Sequence, residues 1–220
     1  MKNQDYLYLD HAASTPMRKS AMDKYIEAES YGYANSSGGH KLSRNSKNLL
    51  EDSREKIAEL LNAAQGEIVF TSGGTEADNW TIKSLFNSER PNDNLVTSNI
   101  EHEAVIASAE WVSSNGFHTK YAKSDKNGLV TKDEFLGQVD NDTKVASLMW
   151  GNNETGIIQP IKDIAREIKT INSSTLFHSD VVQGIISDNI DFHKNGIESA
   201  AVSAHKIGGP KVVGAMFINS

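Results

Sequence analysis

An apolar run that ends in a lysine invites a chemical reading. In "ESAAVSAHKIGGPK" the run over 198–204 reads as a strand and Lys206 closes it. Ser203 and His205 flank the lysine, and Gly208, Gly209 and Pro210 turn the chain. A buried amine is costly unless paired or neutralised, so a lysine placed there suits covalent chemistry; in an open turn it is a solvated cation. Four further stretches put polar residues where an apolar run stops. In "FTSGGTEADN" (70–79) two glycines join a strand to a helix. Gly74 and Thr75 then offer unpaired N–H groups at the positive end of a helix, which suits a phosphate, although Thr75 with Asp78 also makes a capping box. The nucleotide P-loop spacing is absent. In "EHEAV" (101–105) His102 opens a helix, and its imidazole can stack on a flat ring or shuttle a proton.

The remaining two stretches are "WGNNETG" (150–156) and "FHSDVVQG" (177–184). Asn153 can donate a side-chain N–H to a ligand oxygen, and asparagines of this kind also make turns. Asp180 ends a strand whose neighbours are apolar, with Gln183 just beyond it. A carboxylate there needs donors or a cation: a protonated ring nitrogen, an arginine or lysine, or a metal shared with His178, though two ligands do not make a metal site. Taken together, the set specifies one flat, phosphorylated, pyridine-like aldehyde. Lys206 supplies an amine for a Schiff base and Asp180 a carboxylate for the ring nitrogen. Gly74 and Thr75 cradle the phosphate, helped by Ser203 and His205, and His102 covers the ring face. Pyridoxal 5′-phosphate is that ligand.

These residues must be positioned by a scaffold. Apolar runs predict strands at 67–71, 94–98, 118–122, 144–150, 175–180, 198–204 and 212–219. Between them, helical patterns cover 72–86, 102–116, 132–139 and 161–171. Upstream, Thr15 with Pro16 opens a helix over 15–30, and 41–63 forms a long amphipathic helix with Leu49, Leu50, Ile57, Leu60 and Leu61 at helical spacing. Strands alternating with helices predict an α/β fold, a mostly parallel sheet with helices on both faces. Ligands of such sheets lie beyond the carboxyl ends of the strands, where every residue named above falls.

Composition narrows the rest. The chain has 220 residues, 38% hydrophobic and 23% charged, with a net charge of −7. That charge argues against nucleic acid as a main partner. The chain has no cysteine, which excludes disulfides and thiolate metal sites. "MKNQDYLYLD" has no apolar core of a signal peptide, and no apolar run approaches the ~18 residues of a membrane span. A cytoplasmic protein with no membrane partner is expected.

The motifs, in order, resemble the class V aminotransferase group of fold-type I pyridoxal phosphate enzymes, most closely the cysteine desulfurases of the NifS/IscS type. "YLDHAASTP" (8–16), "NSSGGH" (35–40), "FTSGGTEADN", "EHEAV", "NNETG" (152–156), "HSDVVQ" (178–183) and "SAHKIGGPK" (203–211) carry the resemblance along essentially the whole chain. It implies that Lys206 forms the internal aldimine and that His102 stacks on the ring and takes part in proton transfer. It implies Asp180 at the pyridinium nitrogen, Gln183 at the ring hydroxyl, and Asn153 beside the ring and the substrate carboxylate. Gly74, Thr75, Ser203 and His205 would bind the phosphate. The reaction implied converts L-cysteine to L-alanine and passes sulfur to an enzyme cysteine, for iron–sulfur clusters or thiolated tRNA, with a sulfur-acceptor protein as a further partner.

Members of that group are longer than this chain, and their acceptor cysteine lies in the C-terminal part. The resemblance therefore covers an N-terminal segment (1–15) and most of the large cofactor-binding domain (16–220), without the small C-terminal domain. The 220-residue chain is expected to be partial or inactive in persulfide formation. Other readings are another class V enzyme, such as a selenocysteine lyase or aminotransferase, or a non-catalytic remnant of the fold. The apolar last strand, 212–219, is expected to lack its cover and to drive a homodimer.

Overall fold

The computed structural model describes residues 7–86, 90, 92–186 and 190–219. Residues 1–6 of the N-terminal segment lie outside them. The strands are β1 (Ile68–Thr71), β2 (Asn94–Ser98), β3 (His118–Ala122), β4 (Thr143–Ser147), β5 (Leu176–Asp180), β6 (Ser199–Ser203) and β7 (Gly214–Ile218). Among the described residues they form one sheet in the order β1-β7-β6-β5-β4-β2-β3. The pairs β2–β3, β2–β4, β4–β5 and β5–β6 are parallel; β7 runs antiparallel to both β6 and β1. The mostly parallel sheet is thus as the alternation predicts. The helices are α1 (Lys19–Tyr31), α2 (Lys41–Leu60), α3 (Gly74–Ser84), α4 (Glu103–Ser114), α5 (Lys132–Leu136) and α6 (Ile161–Ile171).

Strand alternation splits the core between the two faces of the sheet. Val96, Ala146, Phe177, Ala200, Val202, Ala215 and Phe217 pack on one face with Ile164 and Ile168 of α6 and Ala58 of α2. Their neighbours point the other way: Leu95 and Val145 pack with Ile82 of α3 and Val105 and Val112 of α4, and Ala201 and Met216 pack with Ala77 of α3. By the same parity Phe177 and Ser179 join the first face, while His178 and Asp180 turn towards α3. Two polar residues on a core face are affordable only with partners, and that face carries the site.

Three expectations need correction. Residue Thr15 does not cap a helix: α1 starts at Lys19, with Arg18 as an N-cap that makes no side-chain bond. The Thr15 hydroxyl instead donates to the His205 carbonyl at 2.7 Å and accepts from the Gly208 N–H at 2.8 Å, stitching the N-terminal segment to the turn after β6. The leucine stripe of the long helix is only partly interior, since Leu61 is buried but Leu60 is 81% exposed. The last strand is not uncovered: β7 lies between β1 and β6, and Gly214–Phe217 are buried. Exposed apolar side chains concentrate instead on the N-terminal segment and α1, at Leu7, Leu9, Tyr25 and Ile26.

Candidate active site

Strand order reverses between β2 and β4, since β3 lies outside β2 and the chain returns across it to β4. Clefts form beyond the strand carboxyl ends at such points. Here a cavity of about 280 Å³ opens, and Gly74, Thr75, His102, Asn153, Asp180, Gln183, Ser203, His205 and Lys206 all line it. Residues from five separate stretches of sequence converge, each following a strand or opening a helix.

One end of the cavity is the N-terminus of α3. Its N-cap is Gly73, at φ 155°, so the entry to the helix uses a conformation open to glycine. A Cβ on Gly74 would lie 2.7 Å from Cγ2 of Val182, so a larger residue would close the space in front of the first N–H groups. The capping box read from Thr75 and Asp78 is absent; the Glu76 carboxylate accepts from the Ser72 N–H at 2.6 Å instead. Buried Ser203 faces the same glycines, and His205 is held by the Ser14 hydroxyl at 3.2 Å from Nδ1. Burial and the charges of Lys206 and Lys211 lower the His205 pKa.

The floor is acidic and dry. Asp180 is 5% exposed, and its Oδ1 accepts from the Val182 N–H at 2.9 Å. Burial, and then the neighbouring Asp78, push its pKa up to about 7. Asp78 is 1% exposed; burial raises its pKa to about 8. Glu101, likewise buried, accepts from Ser98 Oγ and the Met149 N–H, and burial raises it to about 8. His178 is fully buried, its pKa lowered to about 4 by burial. Its Nε2 lies 3.1 Å from Asp78 Oδ1. Burial thus pushes the imidazole down and the carboxyl up, both against an ion pair at this contact. Asp78 and Glu101 each keep one buried oxygen without a hydrogen-bond partner.

Half-buried Lys206 lines the same cavity. Its Nζ donates to the Ala12 carbonyl at 2.6 Å, and Gln183 Nε2 donates to the same oxygen at 2.8 Å. Burial lowers the lysine pKa, moving the amine towards its nucleophilic form. His102 is the N-cap of α4: its Nδ1 accepts from the Ala104 N–H at 3.1 Å, which leaves Nε2 as the proton-bearing nitrogen of the neutral ring. Asn153 donates to Glu154 Oε1, while its neighbour Asn152 is the buried residue that builds the turn. Sequence reasoning missed Ala12, whose backbone oxygen carries no side-chain signal, and misread Asp78. Asp78 stands one helical turn after Gly74 on the buried side of α3, and that spacing was the available signal.

A dry acidic floor, an amine of lowered pKa and an open helix N-terminus together fit a phosphorylated aldehyde with a basic ring nitrogen. The chain belongs to the class V aminotransferase family, whose model matches residues 7–220. That family is pyridoxal-phosphate-dependent. Within it, the chain is similar to the cysteine desulfurase IscS of Methanosarcina thermophila, 38% identical over 213 residues, and to that of Clostridium botulinum, 34% identical over 215. These alignments cover 96% and 97% of this chain but 52% and 54% of the relatives, so the chain spans about half the length of the curated relatives it matches. Among solved structures, a NifS-like protein superposes with a TM-score of 0.94 at 35% identity, covering 97% of this chain and 59% of that one. SspA in complex with cysteine superposes at 0.90 and 32% identity, covering 97% and 61%. Among the described residues no helix is long and apolar enough to cross a membrane.

Proposed function

We propose that this chain is the pyridoxal-phosphate-binding large domain, residues 16–220, of a cysteine desulfurase. The observation that carries the reading is the convergence of Lys206 and Asp180 on one cavity that also takes in the α3 N-terminus. The cysteine bound to SspA supports L-cysteine as the substrate class.

Pyridoxal phosphate, when bound, supplies an electron sink for bond breaking at the substrate Cα. The α3 N–H groups, Thr75, Ser203 and His205 bind its phosphate. Asp180, ionised, accepts from the protonated ring nitrogen and holds it. Gln183 donates to the ring hydroxyl oxygen, and Asn153 lies beside the ring and the substrate carboxylate. His102 covers the ring face and, through Nε2, holds or passes a proton. Lys206 Nζ carries a proton to or from the substrate Cα once the amine is free. The net change is cysteine to alanine, with the sulfur passed as sulfane sulfur to an acceptor thiol. The chain has no cysteine, so that thiol belongs to another segment or to a sulfur-acceptor protein. A homodimer, with the apolar surface of α1 covered, is part of this proposal.

Borohydride reduction after adding pyridoxal 5′-phosphate, followed by peptide mass mapping, tests it. The expected result is one pyridoxyl adduct, on Lys206, lost in Lys206→Ala. A folded protein with no adduct on Lys206 would overturn the reading and leave a non-catalytic remnant of the fold. The chain alone should yield no persulfide from cysteine.

A further inference from the structure

Behind Asp180 runs a buried chain of polar groups that the proposed chemistry does not use. From Asp78 Oδ1 it passes to His178 Nε2 at 3.1 Å, and from His178 Nδ1 to Ser199 Oγ at 3.2 Å. Ser199 Oγ meets Thr81 Oγ1 at 2.7 Å, and the Thr81 hydroxyl donates to Met216 Sδ at 3.3 Å. Asp78, Thr81, His178 and Ser199 are all at most 4% exposed. Water therefore does not set the protons of this chain; the partners do.

Its far end offers acceptors only. The Met216 thioether takes the Thr81 proton, so Thr81 accepts from Ser199. Ser199 also presents its backbone carbonyl to the His178 ring, and a carbonyl cannot donate. His178 Nδ1 therefore carries the ring proton, and Nε2 presents a lone pair. A lone pair facing Asp78 Oδ1 at 3.1 Å is repulsive unless that oxygen bears a proton. Asp180, by contrast, receives a donor, the Val182 N–H. Donors favour an ionised carboxyl and acceptors a protonated one.

We propose that Asp78 is a positioning residue that stays protonated on His178, so that Asp180 alone carries negative charge on the pocket floor. The inference deepens the proposed function and rests on it only for its use: a single charge then faces the ring nitrogen, without a second carboxylate competing for the same proton. The charged and titratable groups around Asp78 agree with this. His178 and Asp180 face it from β5, and Glu101 and His102 from the segment before α4, with Lys206 beyond Asp180. β1, β6 and β7 bring no titratable side chain, and Glu103 and Glu110 of α4 are exposed. Among the described residues, no lysine or arginine forms an ion pair with Asp78.

The test is a titration of the aspartate carboxyl carbons by 13C NMR in the protein without added cofactor, assigned through bonds in the wild-type chain. Asp78 should remain protonated at pH 7 while Asp180 titrates below it. Cofactor affinity supplies a second reading. Asp78→Asn, which keeps a donor towards Nε2, should hold pyridoxal 5′-phosphate within about threefold of wild type, whereas Asp180→Asn should lose on the order of 30-fold. An Asp78 carboxyl ionised at pH 7, or a tenfold loss of affinity in Asp78→Asn, would overturn the proposal. If Asp78→Asn does not fold, the wild-type titration decides alone. A protein that never binds the cofactor would refute the proposed function yet leave the carboxyl assignment standing.

Discussion

The floor and the rim of the cavity are built by different means. Of the floor residues, His178 and Asp180 sit on β5, Asp78 on α3 against the sheet and Glu101 on the short segment between β2 and α4, all buried. The rim, formed by Ala12, Ser14, Thr15, His205 and Lys206, is held by hydrogen bonds between an N-terminal segment and the turn after β6, nearly 200 residues apart in sequence. The floor is therefore as stable as the core and pays in desolvated acids. The rim is more open and held by a handful of polar contacts, so it should open locally before the floor does.

The largest effect should come from the seam beneath the floor. A Cβ on Gly214 would lie 2.6 Å from the Gly73 Cα and from the Val202 carbonyl oxygen. These are backbone atoms of β6 and the α3 entry, which cannot rotate away. Gly214→Ala should cost about 3 kcal/mol, lowering Tm by roughly 6–12 °C at about 2–4 °C per kcal/mol, and should displace the α3 N-terminus. A thermal melt within a degree of wild type would show that this seam is looser than the spacing states.

Next in size is the pH dependence of the floor. Glu101 is held protonated by burial, with its pKa raised from 4.5 to about 8. The folded state thus keeps a proton that the unfolded chain releases, so this stability is full below about pH 4.5 and is lost as pH rises through about 8. Glutamine cannot ionise, and its oxygen can still accept from Ser98 and Met149. Glu101→Gln should match wild type at pH 4.5 and exceed it increasingly in denaturant unfolding as pH rises to 8. Parallel pH profiles for the two proteins would mean that Glu101 is ionised in the fold. The rim supplies a smaller effect. Thr15→Val removes an acceptor for the Gly208 N–H and a donor to the His205 carbonyl, about 1–2 kcal/mol of local stability. Proteolytic cleavage within residues 7–18 should quicken about tenfold, with global unfolding little changed. Equal effects on both would merge rim and floor into one cooperative unit.

The same division explains what could be read from sequence. Floor and rim residues at strand ends were legible, because an apolar run that stops at a polar residue marks the carboxyl edge of a parallel sheet; Asp180, Ser203 and Lys206 all obey that rule. Asp78 was not, because three residues after a threonine at a helix start an acid reads as a cap, and only the sheet beneath α3 turns it into a partner of His178. Thr15 failed for the converse reason. Thr-Pro is a sound helix start locally, but a tertiary contact took the hydroxyl. β7 failed because sequence order does not give spatial order: inserted antiparallel between β6 and β1, a strand expected to lack its cover becomes interior.

The smallest effect sharpens the boundary between the two regions. Just before β7 the chain leaves the rim turn through Val212, at φ 61° and 77% exposed. A β-branched residue in the left-handed region carries strain of about 1–3 kcal/mol, and an exposed side chain recovers little of it through packing. Val212→Gly relieves that strain but adds chain entropy to the unfolded state, about 0.5–1 kcal/mol against folding. The net should be a gain of about 0.5–1 kcal/mol and a Tm rise of roughly 2 °C. The gain should leave the Asp78 and Asp180 carboxyl titrations untouched, since Val212 faces neither. A stability loss instead would mean that the Val212 side chain is held by a contact that outweighs its backbone cost, and so that the rim turn is anchored on both sides.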